Sequence, residues 1–268
     1  MSNTSGAFVA SLLALALAAC ASTTPPNPPP AAIPAPGCAS ADAPVDEKGF
    51  VAIGGIEQWV TVKGDRCANP IILFISGGPG NPLSPYSDAV YGAWAKDFTL
   101  VQWDQRGAGV PYGRSPPAED AALTIEQMRD DGIELAAYLT RRFGQRKVIL
   151  WGSSWGSILG VHMAKARPDL FHAYLGTSQL VNFRENQRVS YARLLAVVGA
   201  SDDPASMAVL HGVGEPPWTD PRSFGKVRRV IRAYEAKVST PAPEAWWTPA
   251  AEYRTPKAQA DYEAGEEY

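Results

Sequence analysis

Short apolar runs separated by turns occupy the middle of the chain. Four of them lie at residues 71–75, 98–104, 147–152 and 173–177. Continuous apolar runs of this length are typical of strands that are buried on both faces of a parallel sheet. We therefore expect these runs to be strands of such a sheet.

A single amphipathic stretch, residues 124–143, lies between the second and third runs. Thr124 and Gln127 form a capping-box pattern at its start, and Gly144 is placed to end it. Its apolar residues recur on one helical face: Ile125, Met128, Leu135 and Leu139. The alternation of strand, helix and strand predicts a parallel α/β sheet.

The third run leads directly into Gly-x-Ser-x-Gly, with Ser154 at its centre. This pattern is typical of a nucleophile elbow, where a serine lies on a tight turn between a strand and a helix. Gly152 and Gly156 provide the space that this close approach needs. The alternative is a glycine-rich turn without chemistry, because the pattern also occurs by chance.

Loops after the first two runs carry the other candidate residues. The turn 76–80, Ser-Gly-Gly-Pro-Gly, can point backbone N–H groups into a cleft. We predict that the N–H groups of Gly78 and Trp155 form an oxyanion hole for acyl transfer. Asp104 ends the second run and Arg106 follows it, and we interpret both as residues that fix the loop, since charged residues at strand ends more often brace turns than perform chemistry.

In this order, the motifs Ser-Gly-Gly-Pro-Gly, Asp-Gln-Arg-Gly and Gly-Ser-Ser-Trp-Gly resemble those of the proline iminopeptidase family of α/β-hydrolases. The resemblance extends from about residue 50 to 182. It departs from the family at Ser76, where histidine is usual, and at Trp151, where glycine is common. The resemblance implies an α/β-hydrolase fold with a mostly parallel sheet and a serine acyl-enzyme mechanism at Ser154.

Such a serine needs an imidazole base and a carboxylate, which follow it along the chain in these enzymes. His162 is eight positions after Ser154 on the expected helix, so it lies about 12 Å along the axis. His172 falls at the start of a strand, opposite the catalytic edge, and His211 lies in the expected cap. We therefore expect the base and acid on two last core strands that are missing from this chain, which would make it a truncated and inactive product.

The resemblance divides the chain into a hydrolase core at residues 46–180 and an incomplete helical cap at 181–268, begun after the sixth strand. Within the cap, we predict helices at residues 182–200 and 222–237. A basic cluster on the second of these is interpreted as a solvated face: Arg222, Lys226, Arg228, Arg229 and Arg232.

The N-terminal 45 residues have a different character. Residues 1–19 are expected to be a signal peptide: the apolar run 7–19 ends in Leu-Ala-Ala before Cys20, which resembles the lipobox of bacterial lipoproteins, although residues 1–6 lack the usual positive charge. Cleavage and lipidation at Cys20 would anchor the protein to the cell envelope facing the periplasm, with the outer membrane favoured. The proline-rich stretch 20–45 would be a semi-rigid tether. An incidental leader and cysteine remain the alternative.

Two further cysteines, Cys38 and Cys67, could form a disulfide in an oxidising periplasm, or remain free thiols. A net charge of −3 and a pI near 5.7 give no reason to expect nucleic acid as a partner. No group of histidines and cysteines has metal-ligand spacing, so neither a metal nor another cofactor is expected.

Two classes of function follow. The first is a serine hydrolase of the proline iminopeptidase type, which releases N-terminal residues, often proline, from peptides. Small esters or amides are alternative substrates for the same chemistry. The second is a non-catalytic surface lipoprotein that uses the cleft for binding only.

Overall fold

A six-stranded mixed sheet forms the centre of the protein. The computed structural model describes residues 38–118, 121–144 and 147–267. The strands are β1 Val45–Ile53, β2 Ile56–Gly64, β3 Ile71–Ile75, β4 Thr99–Asp104, β5 Val148–Ser153 and β6 Phe171–Thr177, in the order β1-β2-β4-β3-β5-β6. β2 runs antiparallel to β1 and β4, and the other pairs are parallel. The expected α/β-hydrolase fold, with a mostly parallel sheet, is confirmed.

Eight α-helices surround or extend this sheet in the described part of the chain. They are α1 Ser87–Tyr91, α2 Gly109–Arg114, α3 Ile125–Phe143, α4 Trp155–Ala166, α5 Phe183–Gly199, α6 Pro204–Val213, α7 Pro221–Glu235 and α8 Pro256–Glu267. Short 3-10 turns lie at Ser84–Tyr86, Gly92–Lys96, Pro168–Leu170, Glu244–Trp247 and Ala251–Arg254. None of the described helices is long and apolar enough to span a membrane.

The central strands are buried on both faces, as their continuous apolar sequences predict. Every residue of β3 and β4 is buried. Alternate side chains of β3 enter two different clusters: Leu73 packs with α3 and α4, whereas Phe74 packs on the opposite face. Trp151 joins the second cluster, with its ring centroid 5.8 Å from that of Phe74. This aromatic packing accounts for a large residue directly before the elbow.

The ends of α3 are set by the residues that the sequence indicates. The Thr124 hydroxyl accepts a hydrogen bond from the Gln127 N–H at 3.1 Å. Gly144 follows the last turn with φ 62°, a left-handed conformation that glycine adopts without strain. These two residues therefore define the boundaries of the helix.

Replacement of Thr124 by alanine should lower the free energy of unfolding by about 1 kcal/mol, because one N–H of the first helical turn loses its acceptor. Chemical denaturation at neutral pH measures this change. Thr140→Ala is a suitable comparison, since its hydroxyl bonds within the helix to the Ala137 carbonyl. An equal or larger loss in Thr140→Ala would argue against a specific capping role.

Helices α5, α6 and α7 enclose a small apolar cluster of their own: Tyr191, Leu194, Val198, Leu210, Val227 and Val230. The sequence prediction recovered α5 and α7 but not α6 or α8. Asp203 caps α6 and Pro204 opens it, a start signal that was present in the sequence. α8 packs mainly against α2 on the hydrolase core, so the last part of the expected cap region contacts the core directly.

A disulfide joins Cys38 to Cys67, with their Cα atoms 5.8 Å apart. The backbone N–H of Cys67 also donates to the Ala43 carbonyl. These contacts fasten the segment before β1 to the loop before β3. The expected signal sequence, Cys20 and residues 20–37 of the expected tether lie outside the described residues.

Candidate active site

Ser154 lies on the turn between β5 and α4. It has φ 53° and ψ −121°, a conformation that non-glycine residues rarely adopt. Its N–H donates to the Thr177 carbonyl at 3.0 Å, which ties the turn to the end of β6. The Ser154 side chain is exposed. A strained serine exposed above the end of a central strand is the geometry of a nucleophile elbow.

The glycines beside Ser154 are required by close backbone contacts. A Cβ on Gly152 would lie 2.5 Å from the Gly156 carbonyl oxygen. A Cβ on Gly156 would lie 2.1 Å from the Ile75 carbonyl oxygen, at the end of β3. Any side chain at either position would therefore separate the strand from the helix.

The glycine-rich turn 76–80 lies beside Ser154. A Cβ on Gly77 would stand 3.2 Å from the Ser154 Cβ. Gly78 follows with φ 115°, a conformation suited to glycine. On the other side, Trp155 is the first residue of α4, so its N–H has no partner within the helix. The predicted donors, Gly78 and Trp155, thus belong to segments that adjoin Ser154 from two sides.

None of the three histidines is placed to act as a general base for Ser154. In residues 38–118, 121–144 and 147–267, no histidine side chain takes part in a hydrogen bond or an ion pair. His162 is on the exposed side of α4, about 12 Å along its axis from Ser154. His172 is five residues before Thr177 on β6, or about 17 Å along the strand. His211 is exposed on α6.

Asp104 lies at the end of β4 and is completely buried. Its carboxylate accepts hydrogen bonds from the Ser84 hydroxyl and from the Tyr262 hydroxyl, at 2.8 Å. Burial raises the pKa of Asp104 to about 7, although the hydrogen bond from Tyr262 acts in the opposite direction. The pKa of Tyr262 is raised, first by burial and then by the charge of Asp104, so this hydroxyl keeps its proton.

Arg106 fixes a different part of the molecule. Its guanidinium binds the Asp131 carboxylate on α3 through two bonds, of 2.5 and 2.9 Å, and donates to the Gly54 carbonyl at 2.9 Å. Gln58 completes the arrangement by donating to Asp131 at 2.7 Å and accepting from the Arg106 N–H. The turn between β1 and β2, the end of β4 and α3 are held together in this way.

Sequence reasoning missed several of these partners: Gln58, Ser84, Asp131 and Tyr262. For Asp131 a signal existed, because this carboxylate lies between Met128 and Leu135 on the apolar face of α3. A charged residue in an apolar stripe indicates a buried partner. Among the described residues, no group of acidic, histidine or cysteine side chains could hold a metal ion.

A central serine elbow in a mostly parallel sheet defines the α/β-hydrolase class of fold. Residues 70–202 match the family model described as the α/β hydrolase fold. The chain has the α/β-hydrolase fold, and it is similar to proline iminopeptidases and related aminopeptidases.

The probable aminopeptidase YbaC of Bacillus subtilis (strain 168) is 33% identical over 168 residues, which cover 63% of this chain and 52% of the relative. A probable proline iminopeptidase of Streptomyces coelicolor (strain ATCC BAA-471 / A3(2) / M145) is 31% identical over 111 residues, or 40% of this chain and 32% of that protein. The chain therefore spans about half the length of the first relative.

The solved structure of the proline iminopeptidase of Mycobacterium smegmatis superimposes with a TM-score of 0.54 at 20% identity. This similarity covers 81% of this chain and 68% of that structure. At this level of identity the likeness concerns the fold.

Proposed function

We propose that this protein is a serine hydrolase in which Ser154 attacks an amide or ester carbonyl and forms an acyl-enzyme that water then releases. The observation that carries the proposal is the elbow itself. Ser154 is strained and exposed, and it lies against a glycine-rich turn that can donate backbone hydrogen bonds. A turn without chemistry would have no need of strain at a serine, which costs about 1–3 kcal/mol.

In this mechanism the serine hydroxyl adds to the carbonyl carbon and its proton passes to an imidazole base. The carbonyl oxygen becomes an oxyanion, which the N–H groups of Gly78 and Trp155 would stabilise. Collapse of this intermediate expels the amine or alcohol, which takes the proton from the imidazole. Among the described residues no imidazole lies at Ser154. The mechanism therefore requires a base that the described residues do not place there.

We infer that the enzyme is an aminopeptidase, whose substrates are peptides with a free N-terminus. The inference rests on similarity to relatives that are named probable aminopeptidase and probable proline iminopeptidase. The same elbow in other hydrolases serves many substrates, so the choice of N-terminal residue rests on similarity alone. Release of an aromatic amine from prolyl, alanyl and leucyl arylamides would rank these substrates directly.

Reaction of the full-length protein with a fluorophosphonate probe tests the mechanism. We expect a single phosphonylated site, on the proteolytic peptide that contains Ser154. A folded protein that does not react, or that reacts at another serine, would contradict the proposal. The non-catalytic binding function would then be favoured, since Ser154 has no histidine partner in the described structure.

A further inference from the structure

Helix α8 contacts the glycine-rich turn, which lies beside Ser154, and the loop after β4. A Cβ on Gly80, in the glycine-rich turn, would lie 2.8 Å from the Gly265 carbonyl oxygen. A Cβ on Gly265 would lie 3.0 Å from the Ala108 Cα and from the Gly109 nitrogen, in the loop after β4. The backbones of three segments therefore meet without intervening side chains.

A buried carboxylate connects the same three segments. Asp104 from the end of β4 accepts from Tyr262 of α8 and from Ser84, which follows the glycine-rich turn by four residues. Gly109 lies close to both Asp104 and Tyr262. A Cβ on Gly109 would lie 2.7 Å from the Asp104 Oδ2 atom and 3.1 Å from the Tyr262 Cζ atom. Removal of one hydroxyl would leave part of a buried carboxylate without a close donor.

Backbone contacts and the two flanking segments hold the glycine-rich turn. Residues 77–80 are glycine and proline, so they have no long side chain to pack into the core. The turn is fixed on one side by β3, which is fully buried, and on the other by the segment that leads to Ser84. Its position beside Ser154 consequently depends on the backbone contact with α8 and on how firmly Ser84 is held.

We propose that Tyr262 is a positioning residue for the reaction at Ser154: acting through Asp104 and Ser84, it fixes the glycine-rich turn in the place where the Gly78 N–H meets the oxyanion. This inference rests on the proposed function. α8 thereby becomes part of the structure that makes the active site competent, although none of its residues needs to touch the substrate.

Tyr262→Phe removes the hydroxyl and keeps the ring that packs against Tyr253. The phosphoryl oxygen of a fluorophosphonate occupies the oxyanion position, so the maximal rate constant of phosphonylation reports on the turn. We expect this rate constant to fall about tenfold, as misplacement by a fraction of an ångström would give. The probe concentration for half-maximal rate should stay within about twofold, because in this proposal Tyr262 acts through Asp104 and Ser84 and not by contact with the probe.

Ser84→Ala removes the other hydroxyl that donates to Asp104. The maximal rate constant of phosphonylation should decrease by a similar factor. The double variant should be little worse than either single variant, since residues that act in series are not additive. Additive effects of Tyr262→Phe and Ser84→Ala would overturn the proposal.

Tyr191→Phe is the matched control. It also removes one buried tyrosine hydroxyl, which donates to the Leu210 carbonyl at 2.9 Å inside the α5–α7 cluster. Thermal stability should fall by a similar amount in both tyrosine variants, but only Tyr262→Phe should slow phosphonylation. An equal slowing in Tyr191→Phe would assign the effect to stability and overturn the positioning role.

The result with the wild-type protein separates the two proposals. If Ser154 of the wild type reacts and Tyr262→Phe reacts equally fast, the positioning role is wrong and the hydrolase function stands. If the wild type does not react at Ser154, both proposals are wrong.

Discussion

Replacement of Ser154 by alanine should abolish reaction with fluorophosphonate and, when an imidazole base serves Ser154, reduce amide or ester hydrolysis by about 10⁶-fold, the loss seen when the serine of another serine hydrolase is removed. The size of the effect follows from the mechanism. Without the hydroxyl no acyl-enzyme forms, and the oxyanion donors alone retain only a small part of the rate enhancement. Burst kinetics and intact-mass measurement of the labelled protein give the two readings.

The same substitution should leave the fold intact. The Ser154 side chain is exposed and makes no hydrogen bond with any residue in the described ranges, whereas its backbone N–H, which alanine retains, bonds to Thr177. We expect the free energy of unfolding to change by no more than about 0.5 kcal/mol. The loss of activity can therefore be assigned to chemistry.

Ser153→Ala is the matched control for this prediction. Ser153 is the neighbouring residue at the end of β5 and is half-buried. Its replacement should preserve labelling and turnover. Persistent labelling of the Ser154→Ala variant, or loss of labelling in Ser153→Ala alone, would show that the nucleophile has been assigned to the wrong serine.

The parts of this site that the sequence predicts are those encoded by neighbouring residues. Gly152, Ser154 and Gly156 fall within one short turn, and their spacing follows from the contact between a strand and the next helix. The buried strands could be recognised because both faces of β3 and β4 need apolar side chains. In both cases the physical cause acts over a few residues, so it leaves a readable local pattern.

The supporting network could not be predicted in the same way. Tyr262 and Asp104 are 158 residues apart, and nothing near either residue specifies the other. Asp104 and Arg106 are neighbours that suggest one common role, yet they bind Tyr262 and Asp131 in separate networks because β4 ends at Asp104 and the chain turns there. Contacts of this kind depend on how distant elements pack.

The free energy of unfolding of the wild-type protein should fall between about pH 4 and pH 7, and the Asp104→Asn variant should not show this fall. Burial raises the pKa of this carboxyl from 3.8 to about 7 in the folded protein. Over that interval the unfolded chain has released a proton that the folded protein still binds, so each pH unit lowers the free energy of unfolding by about 1.4 kcal/mol.

Below about pH 4 both states are protonated and Asp104 contributes no pH dependence. Above about pH 7 both are ionised, and the cumulative loss has reached about 4 kcal/mol, as an order of magnitude. Asparagine cannot ionise, and its side-chain oxygen can still accept from the Tyr262 hydroxyl. From pH 4 to pH 8 the stability of the variant relative to the wild type should therefore rise by about 4 kcal/mol.

Urea unfolding across this pH range measures the difference directly. Asp202→Asn, which changes an exposed aspartate between α5 and α6, is the control and should give the same pH profile as the wild type. A constant difference between Asp104→Asn and the wild type from pH 4 to pH 8 would mean that the folded protein keeps Asp104 ionised throughout. In that case the hydroxyls of Ser84 and Tyr262 would stabilise the carboxylate strongly enough to outweigh its burial, and the link between α8 and the glycine-rich turn would be held by a charged acceptor.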